Sequence, residues 1–266
     1  MKIVILLNCY NNHHVVKNIY KFFIKIMDEN DFDIYLINNN ENVKDELIEY
    51  KEICKIFKGN NNIYEFTGIQ KCLEYLKKFE IINNYDISIL ITDALFNSPM
   101  NYLNFINLET IRYVLENEIC VGNVDSFGKK YNIGKDNFEY WLRSCFLIIS
   151  NKLFQEIDYK FLSYRYNDIF EKNKIKIKIS LELLNKINER LKMDRYKYLD
   201  NDIKKNIKQL CIINEYNFSI RLKDKIIDIF YVYCLCNNKN KYIEKMDNIE
   251  DKSIMEQIKL RNEYLL

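Results

Sequence analysis

The sequence predicts an α/β fold: a mostly parallel sheet covered by helices, followed by a helical C-terminal lobe. Three observations carry this expectation. Short, continuous apolar runs recur at 2–7 (KIVILL), 33–37 (DIYLI), 87–91 (ISILI), 119–124 (ICVGNV) and 145–149 (CFLII), the pattern of strands buried on both faces. Between them lie segments of helical period at 15–27, 44–57, 68–79 and 108–116, and such alternation argues for parallel strands joined by helical crossovers. From 181 onward the pattern is helical, at 181–191, 203–213, 221–235 and 248–265.

Residues 1–157 are therefore expected to form the α/β core, and 158–266 the helical lobe. No Pro/Gly/Ser-rich linker separates them, so the two parts should pack as one body. Residues 174–179 (KIKIKI) alternate strictly and read as an exposed edge strand whose lysines discourage further pairing. Contact of the basic stretch 172–178 with anionic lipid is the other reading. The closing helix carries an apolar stripe (Ile249, Ile254, Met255, Ile258, Leu265) for packing on its own domain or on a second subunit.

Composition excludes several classes. Lys+Arg 40 against Asp+Glu 38 leaves a net charge of +2, so the chain lacks the basic field of a dedicated nucleic-acid binder. No apolar run approaches the roughly 20 residues of a bilayer span, and the apolar start is too short for a signal-peptide core. A cytoplasmic protein is expected, with at most a peripheral contact at the inner face of the membrane. The eight cysteines are scattered except for Cys234 and Cys236, and read as reduced thiols in that compartment.

The usual catalytic signatures are missing. There is no G-x-G-x-x-G or G-x-x-x-x-G-K-[ST] phosphate cradle and no G-x-S-x-G elbow. The only histidines, His13 and His14, are adjacent in a loop, which leaves no multi-His metal site. In parallel sheets ligands bind beyond the carboxyl ends of the strands, which here carry Asn8, Asn38 and Asp93. Asp93 directly follows the strand ISILIT, so its carboxylate either binds a hard divalent ion at a diphosphate or caps the next turn. The residue two positions on is Leu95, not a second acid.

The order of the motifs resembles bacterial and viral glycosyltransferases of the nucleotide-diphospho-sugar (GT-A) fold, related to the rhamnan-synthesis type. The resemblance covers about 220 residues. A first strand ends in Asn8-Cys9-Tyr10-Asn11, similar to the family's Tyr-Asn loop, and a second ends in Asn38-Asn39 where the family carries Asp-Asn. The stretch 61–68 (NNIYEFTG) is similar to its Asn-x-x-x-Glu-Phe-Ser-Gly helix opening, and ILITDALF to the strand ending in its metal-site acid. Gly122 in CVGNVDSF, Trp141 before the strand ending at Ser150, and 215–222 (EYNFSIRL) follow in the family's order.

The resemblance implies an enzyme moving a hexosyl or related sugar from a nucleotide-diphosphate donor to a hydroxyl in surface polysaccharide, lipopolysaccharide or glycoprotein glycan assembly. Its acceptor would be a glycan, a lipid-linked sugar or a protein. A non-catalytic sugar-nucleotide-binding relative, partnering another transferase, is the alternative. In this reading Asn8, Tyr10 and Asn38 line the base and ribose. Glu65 meets a sugar hydroxyl or caps the helix opening beside Gly68. Asp93 holds Mn or Mg at the diphosphate. The base on the acceptor hydroxyl is Glu215 or Asp125. Trp141, the single Trp, either stacks on an acceptor sugar or is a buried core residue.

Overall fold

The computed structural model describes residues 1–43, 45–97, 102–171, 174–192, 201–237 and 253–265. The elements run β1 (Ile3–Cys9), α1 (Val15–Phe23), β2 (Phe32–Asn38), β3 (Lys55–Lys58), β4 (Asn62–Ile63), α2 (Tyr64–Lys78), β5 (Ile87–Thr92) and α3 (Leu108–Asn117). They continue with β6 (Cys120–Ile133), β7 (Asp136–Ser150), α4 (Asn151–Glu156), α5 (Tyr166–Ile169), β8 (Phe170–Glu171), β9 (Lys174–Ile175) and α6 (Leu181–Leu191). The chain closes with α7 (Asp202–Leu222), β10 (Ile226–Asp228), α8 (Ile229–Cys236) and α9 (Ile254–Leu265).

Seven strands form one sheet in the order β10-β6-β7-β5-β1-β2-β3. β3, β2, β1 and β5 are mutually parallel, β7 runs antiparallel to both β5 and β6, and β10 is parallel to β6. The mostly parallel α/β architecture expected from the sequence is thus present. Strand side chains alternate between faces, and the two cores follow that alternation. Ile3, Ile5 and Leu7 of β1 face a core shared with Val16 and Ile19 of α1 and Ile111 of α3. Val4 and Leu6 face the opposite core, with Phe66 and Ile69 of α2 and Ile213 of α7.

Three expectations change. Residues 44–57 do not form one helix: a 3-10 turn at Asp45–Tyr50 precedes β3, which pairs with β2 from Tyr35↔Lys55 to Asn38↔Lys58. The exposed edge of β2 offers backbone hydrogen bonds that outweigh a marginal local helix. Residues 221–235 are likewise split, because Ile226–Asp228 pairs with β6. The stretch expected as a helical lobe therefore returns a strand to the main sheet. Finally, the edge strand at 174–179 shrinks to β9, paired with β8, plus a single bridge between Ile133 and Ile179; residues 172 and 173 lie outside the described residues.

Two features of the C-terminal part position the site. In α7, every residue from Leu210 to Ile220 is buried, because the helix lies between the sheet and the small layer of α5 and α6. α9 packs on β10, α8 and β6 through a buried network in which Arg261 Nη1 donates to Asp228, Asn123 and the Val124 carbonyl. The closing helix thus packs in its own domain; Ile249 lies outside the described residues.

Candidate active site

The β6–β7 hairpin turns at Gly134, whose φ of +65° suits glycine. Its ladder then breaks: Val124 pairs with Leu142, but Gly122 pairs with Leu147. The extra residues of β7 bulge out, and bulges of this kind re-aim side chains beside functional sites. At the break, two β7 amides turn to α7, one at the last paired residue and one inside the bulge. Leu142 N donates to Ser219 Oγ at 2.8 Å, and Ser144 N to Glu215 Oε1 at 2.7 Å. Polar residues inside a buried helix therefore replace a missing strand partner.

The bulge directs Arg143, Ser144 and Cys145 into a cleft of about 870 Å³ at the carboxyl edge of the sheet. Asn8 and Tyr10 from the end of β1, Thr92 and Asp93 from the end of β5, and Tyr64 and Glu65 from the start of α2 line it as well. Arg190 of α6 and Lys204, Lys208 and Glu215 of α7 complete the walls. Lys204 and Lys208 are one helical turn apart and so share a face.

Ser144 joins the two glutamates: its Oγ donates to Glu65 Oε1 at 2.9 Å while its N–H donates to Glu215. Glu215, side chain 8% exposed, also lies 3.8 Å from Arg190 Nη1. Arg143 is gripped from behind by Asp125, through Nε at 2.6 Å and through Nη2. Burial works against the charge on Arg143, yet Asp125 holds its proton above the ordinary value. Cys145 is pushed up to about 12, by burial first and then by Glu215, so it is a thiol and no nucleophile.

Asp93 organises the loop after β1. Its Oδ2 accepts from the backbone N–H groups of Tyr10, Asn11 and Asn12 at 2.9, 3.3 and 3.4 Å. Tyr64, φ +46°, sits in the left-handed region where a bulky side chain is strained, and strain of this sort concentrates at functional sites. Its ring lies 5.0 Å beneath Lys208 Nζ.

Of the residues singled out from the sequence, Asn8, Tyr10, Glu65, Asp93 and Glu215 meet in this cleft. Three stand behind it. Asn38 spends its side chain on the loop after β2, with Nδ2 donating to the Val43 carbonyl at 2.7 Å and Oδ1 accepting from Asn40 N and lying 3.0 Å from His13 Nε2. His13 is accordingly a brace between two loops. Gly68 lets α2 approach Asn8 and Asn39, and Asp125 holds Arg143. Trp141 is buried against Phe127 and Tyr216 and takes the core reading. All eight cysteines are free.

The ligand set for Mn or Mg can be tested on these atoms. Among the described residues, no three His, Cys, Asp or Glu side chains come together to hold a metal ion. The loop amides occupy Asp93 Oδ2, which leaves Oδ1 to a cation that wants about six oxygens. Among the described residues, the side chains at this edge do not fit a resident metal.

Among the described residues, no helix is long and apolar enough to cross a membrane. No family model matches the chain, and no curated protein matches it in sequence. Among solved structures it is similar to the bifunctional glycosyltransferase WbbM in its apo form, at 10% identity and a TM-score of 0.33. The match covers 85% of this chain and 38% of WbbM, and at that distance it carries no functional argument.

Proposed function

We propose that the chain is a glycosyltransferase that moves a sugar from a nucleoside-diphosphate donor to a hydroxyl acceptor. One observation carries this reading: residues from four separate segments, Asn8/Tyr10, Glu65, Asp93 and Glu215, line one cleft together with four cationic side chains. Carboxylates suit sugar hydroxyls and proton removal, whereas cations suit a diphosphate. Both are needed by this reaction, and both are found at the sheet edge where parallel sheets bind ligands.

In the reaction, the acceptor oxygen bonds to the anomeric carbon as the bond from that carbon to the diphosphate oxygen breaks. The electron pair of the broken bond leaves with the nucleoside diphosphate. Glu215 takes the acceptor's hydroxyl proton, and Glu65 Oε2 accepts from a sugar hydroxyl while Ser144 holds its other oxygen. Asn8 and Tyr10 lie on the side of the nucleoside. A second groove of about 890 Å³, with Tyr166 and Asn167 in its wall, meets the first at Asn61 and Ile207 and gives a glycan, lipid-linked or protein acceptor its approach.

Thermal shift with UDP-, GDP- and dTDP-sugars tests the reading, with CMP-sugars as single-phosphate controls. A donor at 100 times its dissociation constant adds about 2.7 kcal/mol of stability. One diphosphate class should raise Tm and, with acceptor hydroxyls supplied, release its nucleoside diphosphate. A non-catalytic relative is the second reading, favoured by the Ser144 amide and Arg190 that already engage Glu215. Binding without release of nucleoside diphosphate supports that reading, and the absence of any shift removes both.

A further inference from the structure

We propose that this cleft neutralises the donor's diphosphate with protein cations, so that transfer needs no divalent metal ion. The proposal rests on the glycosyltransferase reading and deepens it. It begins from what the acids in the cleft already do. Asp93, the acid placed where a metal ligand is expected, gives Oδ2 to three backbone amides and so serves as the hub of the loop at 10–12. Glu65 and Glu215 are tied to each other through Ser144, and Glu215 faces Arg190. Each acid has a structural task, and no three of them converge on a point among the described residues.

The cations are arranged differently. Arg143, Arg190, Lys204 and Lys208 come from three elements and surround the same volume. Against them the cleft's lining carries three carboxylates, Glu65, Asp93 and Glu215, with Asp125 behind Arg143, so cations and carboxylates among these residues balance four to four before a ligand enters. The Asp93 charge is further offset by the amides it accepts from. Arg143 is pre-set, because Asp125 grips its guanidinium from the far side while the β7 bulge presents it to the cleft. A guanidinium fixed in this way can meet phosphate oxygens in the bidentate geometry that arginine favours. Lys204 and Lys208, on one face of α7, add two point charges to the same wall, Lys208 seated over the Tyr64 ring.

Such a set acts where the reaction needs it. As the anomeric carbon–oxygen bond breaks, its electron pair settles on the terminal phosphate oxygen, and the diphosphate gains one negative charge. Cations already in place stabilise that charge without reorganisation, the role that basic clamps share with magnesium at other phosphate transfers.

Calorimetric titration of UDP, GDP and dTDP into the whole chain, in EDTA and then in Mn, tests the proposal. The expected result is one nucleoside diphosphate with the same dissociation constant, within about twofold, in both buffers. Binding should weaken about tenfold or more in Lys204→Ala and in Lys208→Ala, and fall steeply with salt. Lys204 is exposed, so its removal does not threaten folding. Asp93→Asn should alter affinity equally with and without Mn. Binding confined to the Mn buffer and lost in Asp93→Asn overturns the proposal while leaving the glycosyltransferase reading intact. No binding of any nucleoside diphosphate in either buffer overturns both.

Discussion

Replacing Gly68 by alanine tests the way the site is built. A Cβ at this position would lie 2.2 Å from Asn39 Oδ1, 2.8 Å from Asn39 Nδ2 and 2.6 Å from Asn8 Oδ1. Neither asparagine can swing into solvent, since Asn8 is 4% and Asn39 3% exposed. Overpacking of this kind costs about 1–3 kcal/mol. Displacing Asn39 also breaks its 3.2 Å bond to the Tyr64 carbonyl, for about 1 kcal/mol more. Alanine's better helix propensity inside α2 returns about 1 kcal/mol. The balance is a loss of about 1–3 kcal/mol, which lowers Tm by roughly 2–10 °C in a chain of this size. Asn8 lines the cleft, so nucleotide affinity should fall with stability. Adding Asn39→Ala removes two of the three close atoms, and the double variant should lose less than the two single losses combined. Differential scanning calorimetry of the four proteins decides the matter. A Gly68→Ala protein that melts higher, by the propensity gain alone, and binds nucleotide as before would refute the close approach of α2 to the ends of β1 and β2.

Three further outcomes follow from named contacts. Glu215→Gln keeps an oxygen for the Ser144 amide but cannot take a proton, so transfer should fall about 10²–10⁴-fold with donor affinity little changed; wild-type turnover would place the base elsewhere. Arg261→Met strands Asp228 without its guanidinium at a fully buried position and should cost about 3–5 kcal/mol in a denaturant titration. Asp228→Asn in the same chain should recover most of it, whereas equal losses in single and double variants would mean that the charge is not the cause. Burial pushes Asp228 up to about 6, against the pull of Arg261, from an ordinary value of 3.8. Between those pH values the folded chain holds a proton that the unfolded chain releases, so this group's contribution to stability is greatest at pH 4 and falls as pH rises to 6. The loss is on the order of 3 kcal/mol. Denaturation midpoints of wild type and Asp228→Asn at pH 4, 5, 6 and 7 isolate it, and parallel curves would contradict the assignment.

How much of this is visible in the residues depends on what sets each position. β1, β2 and β5 are buried on both faces, and burial alone writes a continuous apolar run. β6 and β7 are legible only in their inner halves, because the outer hairpin is partly exposed and its residues 128–130 are polar or glycine. β3 is hidden because Ile53, Ile56 and Phe57 also satisfy a helical spacing, and only the open edge of β2 decides between the two. β10 is three residues long, too short for any period to register.

The site divides along the same line. Asn8, Tyr10, Glu65 and Asp93 sit where strands end or a helix begins, positions that sequence order can locate. Glu215 is different: its place in the middle of a buried helix gives no local signal, and only the resemblance points to it. The cations show the limit most clearly. With Lys+Arg at 40, one more lysine on a helix says nothing, and Lys204, Lys208 and Arg190 acquire meaning only when α6 and α7 close over the sheet edge. Arg143 alone leaves a trace, as a charge set between Trp141-Leu142 and Cys145-Phe146 just ahead of the buried inner half of the strand. A guanidinium inside such a run needs a carboxylate partner and a reason to leave the ladder. Asp125 on the neighbouring strand is the partner, and the bulge is the departure. The same four residues that break β7's pairing with β6, Arg143 to Phe146, thus account for a wall of the cleft, the amide that holds Glu215 and the hydroxyl that holds Glu65.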